Sequence, residues 1–352
     1  MKFNFPFHYL LYIHISSSLG KYLLVSPSPV STMNESLNDS AISSTTILVE
    51  DCSLPVAHGI ALISVNALVG VFGTLGNLLV CLAVITYPRL RRPSNYLLFS
   101  LAIADLIVTM ACEPLVVAIF IKRTFFNDCA PDLELPYVIL SMLSCSTSVA
   151  HMAAISIDRF IAVVFPLHHR ALVDTFGLKV MLITCWAYPI LVPILSAIVP
   201  PTFSKDLFAL LMFAISYGIV FLSYSLIVIF LVRHKRQEKQ LGMRRNSSAS
   251  HESRVEIRVA STLGIVTLVF TVCWLPFVVV LYATGRLLVK KHGVAYMWIR
   301  TLALSNSAIN FLIYGSRMKN FHDAFSATGR KFLGAFTRKC SRTQVFNVND
   351  SN

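Results

Sequence analysis

Long apolar runs separated by short polar segments dominate the chain between residues 60 and 316. Seven of these runs reach the roughly 20 residues that a helix needs to cross the hydrocarbon core of a bilayer. Their predicted bounds are Ile60–Tyr87, Asn95–Ile121, Leu135–Ile157, Val180–Phe203, Leu207–Val232, Val259–Gly285 and Val294–Ser316. Between the fourth and fifth, Pro-Pro followed by Ser-Lys-Asp ends one helix and starts the next. The pattern predicts an all-α membrane protein, a bundle of seven transmembrane helices.

The composition indicates a lipid environment. Apolar residues make up 55% of the 352 residues and charged residues only 13%, with a mean hydropathy of +0.68. Soluble domains carry about 25% charged residues, so this chain has too few to cover a surface in water. The net charge of +13 does not predict nucleic-acid binding, because no basic face alternates with stacking aromatic residues.

The basic residues predict the orientation of the bundle. If the amino terminus is outside, the inner segments hold 21 of the 30 Lys and Arg residues, eight of them between Arg233 and Arg258. The positive-inside rule then places the carboxyl terminus in the cytoplasm. Sequons at Asn34 and Asn38 agree, since they are glycosylated only if the amino-terminal segment reaches the outer side.

The predicted spans divide the chain into three parts. Residues 1–57 form an extracellular tail, residues 58–316 the transmembrane domain, and residues 317–352 a cytoplasmic helix and tail. The apolar, aromatic stretch that follows Lys2 is either a poor signal peptide or lies ahead of a working start at Met33.

Polar side chains inside the spans are functional candidates, because a charged group at bilayer depth costs at least about 2.5–3.5 kcal/mol. They are Asn77 in the first span, Asp105 in the second, Asp158-Arg159-Phe160 in the third, Trp186 in the fourth, Cys273-Trp274-Leu275-Pro276 in the sixth, and Asn306-Ser307 with Asn310 to Tyr314 in the seventh. In this order, the set resembles the rhodopsin-like class of G-protein-coupled receptors over about residues 57–337. The resemblance implies a plasma-membrane receptor that binds an extracellular ligand and activates a heterotrimeric G protein by outward movement of the sixth helix, without catalysing a reaction.

Several positions depart from the pattern of that class. Phe311 replaces the usual Pro of the seventh helix, which predicts a softer kink. Ser216 replaces the usual Pro of the fifth helix, and Glu134 stands where a Cys is expected at the outer start of the third. The second outer loop is short and has no Cys. These departures look most like the melanocortin, cannabinoid and lysolipid receptor branch.

The resemblance implies a sodium pocket in the middle of the bundle. The matching residues are Asp105, Ser148, Asn306, Ser307 and Asn310, with Asn77 and Trp274 close by. One carboxylate with hydroxyl and amide oxygens suits a hard cation. The alternative is a plain hydrogen-bond network between helices. No other metal and no cofactor is expected.

The resemblance also implies a G-protein switch at the inner end of the third helix. In the resting state Arg159 would pair with Asp158 and with Glu256 of the sixth helix, and activation would free it. Tyr224 and Tyr314 belong to the same switch. The alternative is that Glu256 pairs with an arginine of its own helix.

The sixth helix carries the implied activation core. Phe270 and Trp274 lie one turn apart and therefore on one face, and Pro276 follows. The resemblance makes Trp274 a rotamer switch beneath the ligand, while Phe270 packs against it and moves with it.

The implied ligand cavity lies among the outer thirds of the third, fifth, sixth and seventh helices. Its expected lining is Ser141, Met142, Cys145, Phe208, Phe277, Leu281, Arg300 and Leu304, with Glu113 near the outside. Ser141 stands where amine receptors carry an Asp, and Leu304 takes the position that binds retinal in opsins. A small molecule, lipid or peptide is therefore expected rather than a biogenic amine or a retinal Schiff base. Arg300 either pairs with Glu113, binds an acidic ligand group or reaches the lipid headgroups.

Three further modifications follow from residue type and topology. Of the eight Cys, only Cys52 and Cys129 are expected to face the oxidising side, so we predict a disulfide between them that ties the amino-terminal tail to the first outer loop; the alternative is two free thiols. Cys340 follows an amphipathic stretch, residues 321–336, and is a candidate for palmitoylation at the inner leaflet. Ser247 follows two arginines and suits a basophilic kinase.

A seven-helix transporter or channel is the alternative function. It would need a continuous polar path, whereas the polar groups cluster around Asp105 and the inner mouth. An enzyme is not expected, because the spans contain no Ser/His/Asp, metal-ligand or phosphate-loop spacing.

Overall fold

The computed structural model describes residues 52–166, 168, 169, 173, 175–198, 205–240, 247–283 and 293–331. Within these ranges it describes the side chains except those of residues 175, 192–198, 205–213, 235, 238–240, 247–256, 278 and 281–283. The helices are α1 (Val56–Thr86), α2 (Pro93–Phe125), α3 (Pro131–Val164), α4 (Thr175–Ile198), α5 (Lys205–Gln240), α6 (Ser247–Ala283), α7 (Gly293–Ser305 continued by Asn310–Arg317) and α8 (residues 319–331). Every regular element in these ranges is helical, which confirms the predicted fold class.

Apolar side chains point outward along the helices. Among the described residues, α1, α2, α3 and parts of α5 and α6 are long and apolar enough to cross a membrane, while α4 contributes a shorter apolar helix, Phe176–Leu191. Phe221 is 77% exposed and Phe72 is 58% exposed. Large apolar groups exposed in this number suit lipid rather than water. The chain is a multi-pass membrane protein.

We call the two ends of the bundle the outer end and the inner end, and define each by the groups that lie there. The outer end carries the predicted disulfide between Cys52 and Cys129, whose Cα atoms are 5.2 Å apart. This bond fastens the segment before α1 to the loop between α2 and α3, and the Leu54 backbone N–H donates to the Arg123 carbonyl at 3.3 Å beside it. The inner end carries Asp158 and α8.

Ion pairs fix the loop between α2 and α3 to the helix ends on either side of it. Lys122 lies 3.2 Å from an oxygen of Asp128 and 3.2 Å from one of Asp132. The Ala130 backbone N–H donates to Asp128 at 2.9 Å. This hydrogen bond, followed by the ammonium group of Lys122, lowers the pKa of Asp128 below its ordinary value because both favour the carboxylate.

Two helices are interrupted where polar residues enter the bundle. In α2 a π turn, Val108–Cys112, lies directly before Glu113 and Pro114. Because the Pro ring would collide with the carbonyl of Met110 four residues earlier, the wider turn relieves that contact. In α7 the 3₁₀ turn Asn306–Ala308 breaks the helix. The seventh helix is thus interrupted although Phe311 replaces the usual Pro.

The interruption of α7 lies against glycines of α1. A Cβ atom added at Gly76 would overlap the Phe311 ring, and one at Gly73 would lie 3.1 Å from the Ala308 Cβ. Glycine at these positions therefore lets α7 approach the α1 backbone closely enough for polar contacts to form between them.

A buried histidine joins three helices in the inner half. Its ring nitrogens lie 2.8 Å from the Thr147 carbonyl (Nδ1) and 2.9 Å from Ser100 Oγ of α2 (Nε2). Because a carbonyl only accepts, His151 carries its proton on Nδ1 in the neutral ring and accepts from Ser100 at Nε2. Trp186 of α4 donates to the same Ser100 at 2.9 Å. His151 is an interhelical residue whose hydrogen bonds are satisfied.

The helix after the seventh span is amphipathic. Phe321, Ala324 and Thr328 are buried at a helical spacing, and Phe321 packs against Tyr314 with ring centroids 5.8 Å apart. The amphipathic helix of the predicted fold is therefore present. Asn34, Asn38, Cys340 and residues 332–336 of the amphipathic stretch lie outside the described residues, as does the side chain of Ser247.

Candidate functional site

A polar cluster connects α1, α2 and α7 in the middle of the bundle. Asp105 is fully buried and accepts a hydrogen bond from Asn310 Nδ2 at 2.8 Å. Asn77 of α1 donates to the Ser307 carbonyl at 2.8 Å. The 3₁₀ turn of α7 frees that carbonyl from the regular helix pattern, which is why a side chain from α1 can reach it. Ser148 and Asn306, also predicted for this cluster, are buried.

The cluster contains more hydrogen-bond acceptors than donors. Within the described ranges, four buried side-chain oxygens have no hydrogen-bond partner: Oδ1 of Asn77, Asp105, Asn306 and Asn310. Leaving such atoms unsatisfied costs roughly 1–3 kcal/mol each, and more for a charged group. A cation or water molecules would satisfy them, and a carboxylate with amide oxygens is a donor set that fits a hard cation.

Aromatic rings form a continuous series from the middle of α6 to the outer end of α7. Phe270 and Trp274 of α6 stack with centroids 6.0 Å apart, and Phe277 meets the Trp274 ring edge-on at 5.7 Å. Phe277 then contacts Tyr296 of α7 at 6.1 Å. Pro276 lies within α6 beside these rings. Because neighbouring rings of the series are in contact, a shift of one is transmitted to the next.

The inner end carries a saturated ion pair. Arg159 Nε donates to Asp158 Oδ2 at 2.8 Å, and Arg159 Nη2 contacts the same oxygen. Asp158 Oδ1 accepts from Ser94 Oγ of α2 at 3.1 Å and lies 3.0 Å from His169 Nε2. Both carboxylate oxygens are therefore used. The sequence reasoning missed Ser94 and His169; a Ser at the start of α2 and a His after the end of α3 were the available signals.

The remaining residues predicted for the switch lie on α5, α6 and α7. Tyr314 is 1% exposed and packs on α8. Tyr224 of α5 lies against α6, where a Cβ added at Gly264 would come within 3.3 Å of its ring. The Glu256 side chain lies outside the described residues, so its pairing with Arg159 stays a prediction.

The outer end carries a second buried ion pair, and here two expectations were wrong. Arg300 does not pair with Glu113: its Nη1 donates to the two Glu134 oxygens at 3.3 and 3.4 Å. It does not reach the headgroups either, since it is 3% exposed and its guanidinium lies over the Tyr137 ring, 3.4 Å from the centroid. Arg123 of α2 donates to the same Glu134 at 3.1 Å. The first turn of α3 places Glu134 between α2 and α7, within hydrogen-bond distance of Arg300, whereas Glu113 lies farther from it.

The residues predicted to line the ligand cavity are only partly gathered. Leu304 is buried in the same apolar cluster as Tyr137, and Met142 and Cys145 are half-buried on α3. Ser141 donates to the Val138 carbonyl of its own helix at 3.0 Å. The side chains of Phe208 and Leu281 lie outside the described residues. Glu134 and Tyr137, which contact Arg300, and Tyr296, which contacts Phe277, are outer residues that the sequence did not point to.

Known proteins match most of the chain. A family model described as the seven transmembrane receptor (rhodopsin family) matches residues 76–206 and 200–314. The chain is 27% identical to the RYamide receptor of Drosophila melanogaster over 304 residues, covering 78% of this chain but only 64% of that receptor. It is 27% identical to trace amine-associated receptor 1 of Mus musculus over 320 residues, covering 81% and 93%. It is 25% identical to the adenosine receptor A2a of Homo sapiens over 308 residues, covering 77% and 73%.

A solved structure shares the fold. Squid rhodopsin superposes with a TM-score of 0.66 at 21% identity, covering 80% of this chain and 88% of the rhodopsin chain. These relatives are receptors and not enzymes. None of the four belongs to the melanocortin, cannabinoid or lysolipid branch, so that assignment stays a prediction. The family model spans more than half of the sequence, and the chain therefore belongs to the rhodopsin family of seven-transmembrane receptors.

Proposed function

We propose that the protein is a plasma-membrane receptor that binds an extracellular ligand in the outer half of the bundle. Ligand binding activates a heterotrimeric G protein at the inner end by outward movement of α6. The saturated, buried Asp158–Arg159 pair is the observation that carries this proposal. Family membership supports it, since G-protein coupling and extracellular ligands are general in this class.

Asp158 acts as the restraint on Arg159. In the resting state the carboxylate holds the guanidinium on α3, where it is unavailable to a G protein. Separating the pair while both charges stay buried would leave them uncompensated, so the resting state is favoured until a G protein offers Arg159 new partners. An agonist shifts this equilibrium only by as much as it binds the active state more tightly.

The polar cluster around Asp105 connects the two ends. A sodium ion held by the Asp105 carboxylate and the amide oxygens of Asn306 and Asn310 would satisfy acceptors that otherwise lack partners. Ser148 and Ser307 would complete the set. Because α7 supplies most of these groups, an ion there favours one arrangement of α7, and linkage makes sodium and agonist oppose each other.

The orientation follows from the same proposal. The disulfide between Cys52 and Cys129 belongs in an oxidising compartment, which favours an extracellular outer end. Asn34 and Asn38 would then be glycosylated, and Cys340 and Ser247 would face the cytoplasm for palmitoylation and phosphorylation.

The names of the relatives do not agree on a ligand class. They refer to a peptide amide, trace amines and adenosine. Ser141 supplies no carboxylate for an amine at the position used by amine receptors, which favours a ligand without that amine contact.

Guanine-nucleotide exchange tests the proposed function. Full-length receptor in lipid vesicles is combined with purified stimulatory, inhibitory and calcium-mobilising G proteins, without ligand and with a ligand collection. Exchange above that of empty vesicles is expected with at least one G protein, and Arg159→Ala should abolish it. A transporter or channel would give no exchange with any of them.

A further inference from the structure

The outer ion pair leaves hydrogen-bonding groups unused. Arg300 reaches Glu134 through Nη1 alone, and its Nε and Nη2 have no partner in the described part of the chain. On a guanidinium these two N–H groups share one edge and bind two acceptor positions side by side. Arg300 therefore presents a complete, unoccupied donor edge.

Glu113 presents the opposite deficiency. It is 1% exposed, and neither of its carboxylate oxygens has a hydrogen-bond partner among the residues described. Its charge interacts with that of Arg300, but no Arg300 nitrogen lies within 4.0 Å of a Glu113 oxygen, the distance that defines an ion pair. An unused acceptor pair on α2 thus lies near an unused donor edge on α7.

The charges of the cluster balance when Glu113 is ionised, the state in which it can accept two hydrogen bonds. Arg123 and Arg300 contribute two positive charges, and Glu113 and Glu134 contribute two negative charges when all are ionised. A ligand cation or anion placed among them would leave one uncompensated charge in a buried site, at a cost of several kcal/mol. A neutral group avoids that cost.

The surroundings strengthen this preference. The Tyr137 ring covers one face of Arg300, and the Phe120 ring centroid lies 6.0 Å from its guanidinium carbon. Glu113 packs against α1, where a Cβ added at Gly70 would lie 3.2 Å from the Cβ of Glu113. Buried Met297 belongs to the same apolar cluster. In such surroundings charges are poorly screened, so both the net charge and each hydrogen bond matter more than at a wet surface.

We propose that Glu113 and Arg300 form a subsite for a primary carboxamide of the ligand. The amide N–H donates to the Glu113 carboxylate, and the amide oxygen accepts from the Nε–Nη2 edge of Arg300. Glu134 is a positioning residue that occupies Nη1 and so orients the free edge. This subsite rests on the proposed receptor function, because it is the place where the extracellular ligand is held.

Three probes that share one aromatic body test the subsite. They are the neutral N-acetyl-tyrosinamide, the anionic N-acetyl-tyrosine and the cationic tyramine, each added to purified full-length receptor while thermal unfolding is followed. The amide should half-saturate the wild type at a concentration about tenfold below that of the other two, the effect of one charge-assisted hydrogen bond.

Two variants reverse or remove this preference. Glu113→Gln should make N-acetyl-tyrosine the best probe, because it removes the repelling charge and offers an N–H to the ligand carboxylate. Arg300→Lys keeps the positive charge but loses the two-donor edge, and should bind amide and acid alike. Asp132→Asn, which changes an exposed carboxylate in the first turn of α3, is the matched control and should keep the wild-type order.

The source of the carboxamide is distinguished with peptides. A collection of pentapeptides made as C-terminal amides and as free acids is compared with N-acetyl-tyrosinamide. Amidated peptides that act at lower concentrations than the small probe indicate a peptide terminus, and equal potency indicates a small amide ligand. Either result supports the subsite.

The subsite is overturned if the amide stabilises the wild type no more than the acid and the amine. It is also overturned if neither Glu113→Gln nor Arg300→Lys alters the order of the probes. Nucleotide exchange, measured on the same preparations without ligand and with the amide probes, keeps the two proposals apart. Exchange without amide preference removes only the subsite, and amide preference without exchange removes only the G-protein function.

Discussion

The inner and outer ends of the bundle each bury a carboxylate–guanidinium pair, but they use its hydrogen-bonding capacity differently. At the inner end both oxygens of Asp158 are occupied by partners from α2, α3 and the segment after α3. At the outer end Arg300 uses one nitrogen, and Glu113 uses neither oxygen within the described residues. A saturated pair holds one conformation, whereas an unsaturated pair has capacity left for a ligand. This difference fits an inner switch and an outer recognition site.

The two ends are built differently along the chain. Asp158 and Arg159 are neighbours in sequence, so their pairing requires little from the rest of the fold. Arg300, Glu134 and Glu113 come from three helices, and a π turn sets the direction of Glu113. The outer arrangement therefore depends on packing and changes when the helices shift.

The largest expected effect comes from removing the charge at the centre of the outer cluster. Arg300→Ala leaves Glu134 with Arg123 alone and Glu113 with no positive neighbour, which should lower the free energy of unfolding by about 3–5 kcal/mol. Thermal unfolding of purified receptor measures this. Lys122→Ala, at an exposed ion pair, should change it by less than about 1 kcal/mol. Equal effects of the two variants would show that the outer pair is not energetically central.

The second-largest effect is expected when the Asp158–Arg159 pair at the inner end is broken. Asp158→Asn removes the charge that restrains Arg159 and should raise ligand-free nucleotide exchange about 5- to 150-fold, up to the limit set by full activation. Exchange is measured at equal receptor density. A basal rate at or below that of the wild type would mean that Asp158 does not restrain Arg159.

A smaller effect is expected in the polar cluster between the two ends. Replacing sodium with choline should raise ligand-free exchange several-fold, because the resting state loses an ion bound at Asp105. Asp105→Asn should remove this dependence on sodium. If exchange by the wild type is insensitive to sodium, the cluster is a hydrogen-bond network alone.

The smallest effect is expected when Asp158 at the inner end loses one of its hydrogen-bond partners. His169→Ala removes one of the two partners of Asp158 Oδ1, and one net hydrogen bond is worth about 0.5–1.5 kcal/mol. Ligand-free exchange should therefore rise about two- to tenfold. The exposed neighbour provides the control, since His168→Ala should leave exchange unchanged. An identical response from both variants would place His169 outside the switch.

The fold was largely predictable because a transmembrane helix is a local property of composition. The helix ends were less so: α3 begins at Pro131 and ends at Val164, beyond the predicted Leu135–Ile157, because helices continue past the apolar core. The disulfide was predictable because topology leaves only Cys52 and Cys129 on the oxidising side.

The partners within the site were harder to predict from sequence. Arg300 and Glu113 were identified as buried charges, but which acid Arg300 reaches depends on how α3 enters the bundle. Ser94 and His169 acquire roles only when α2 and the segment after α3 meet Asp158. Contacts between distant segments are set by packing, and the period of apolar residues does not encode them.

The most direct test of the proposed mechanism follows the distance between the turn Pro88–Leu90, which precedes α2, and the inner part of α6. Spin labels attached through Arg89→Cys and Arg258→Cys lie on exposed positions and report that distance in the full-length receptor. Addition of the G protein that gives exchange should populate a distance several ångströms longer, and Asp158→Asn should populate it in part without G protein. A distance distribution that neither G protein nor Asp158→Asn changes would contradict an Asp158-restrained, α6-opening receptor.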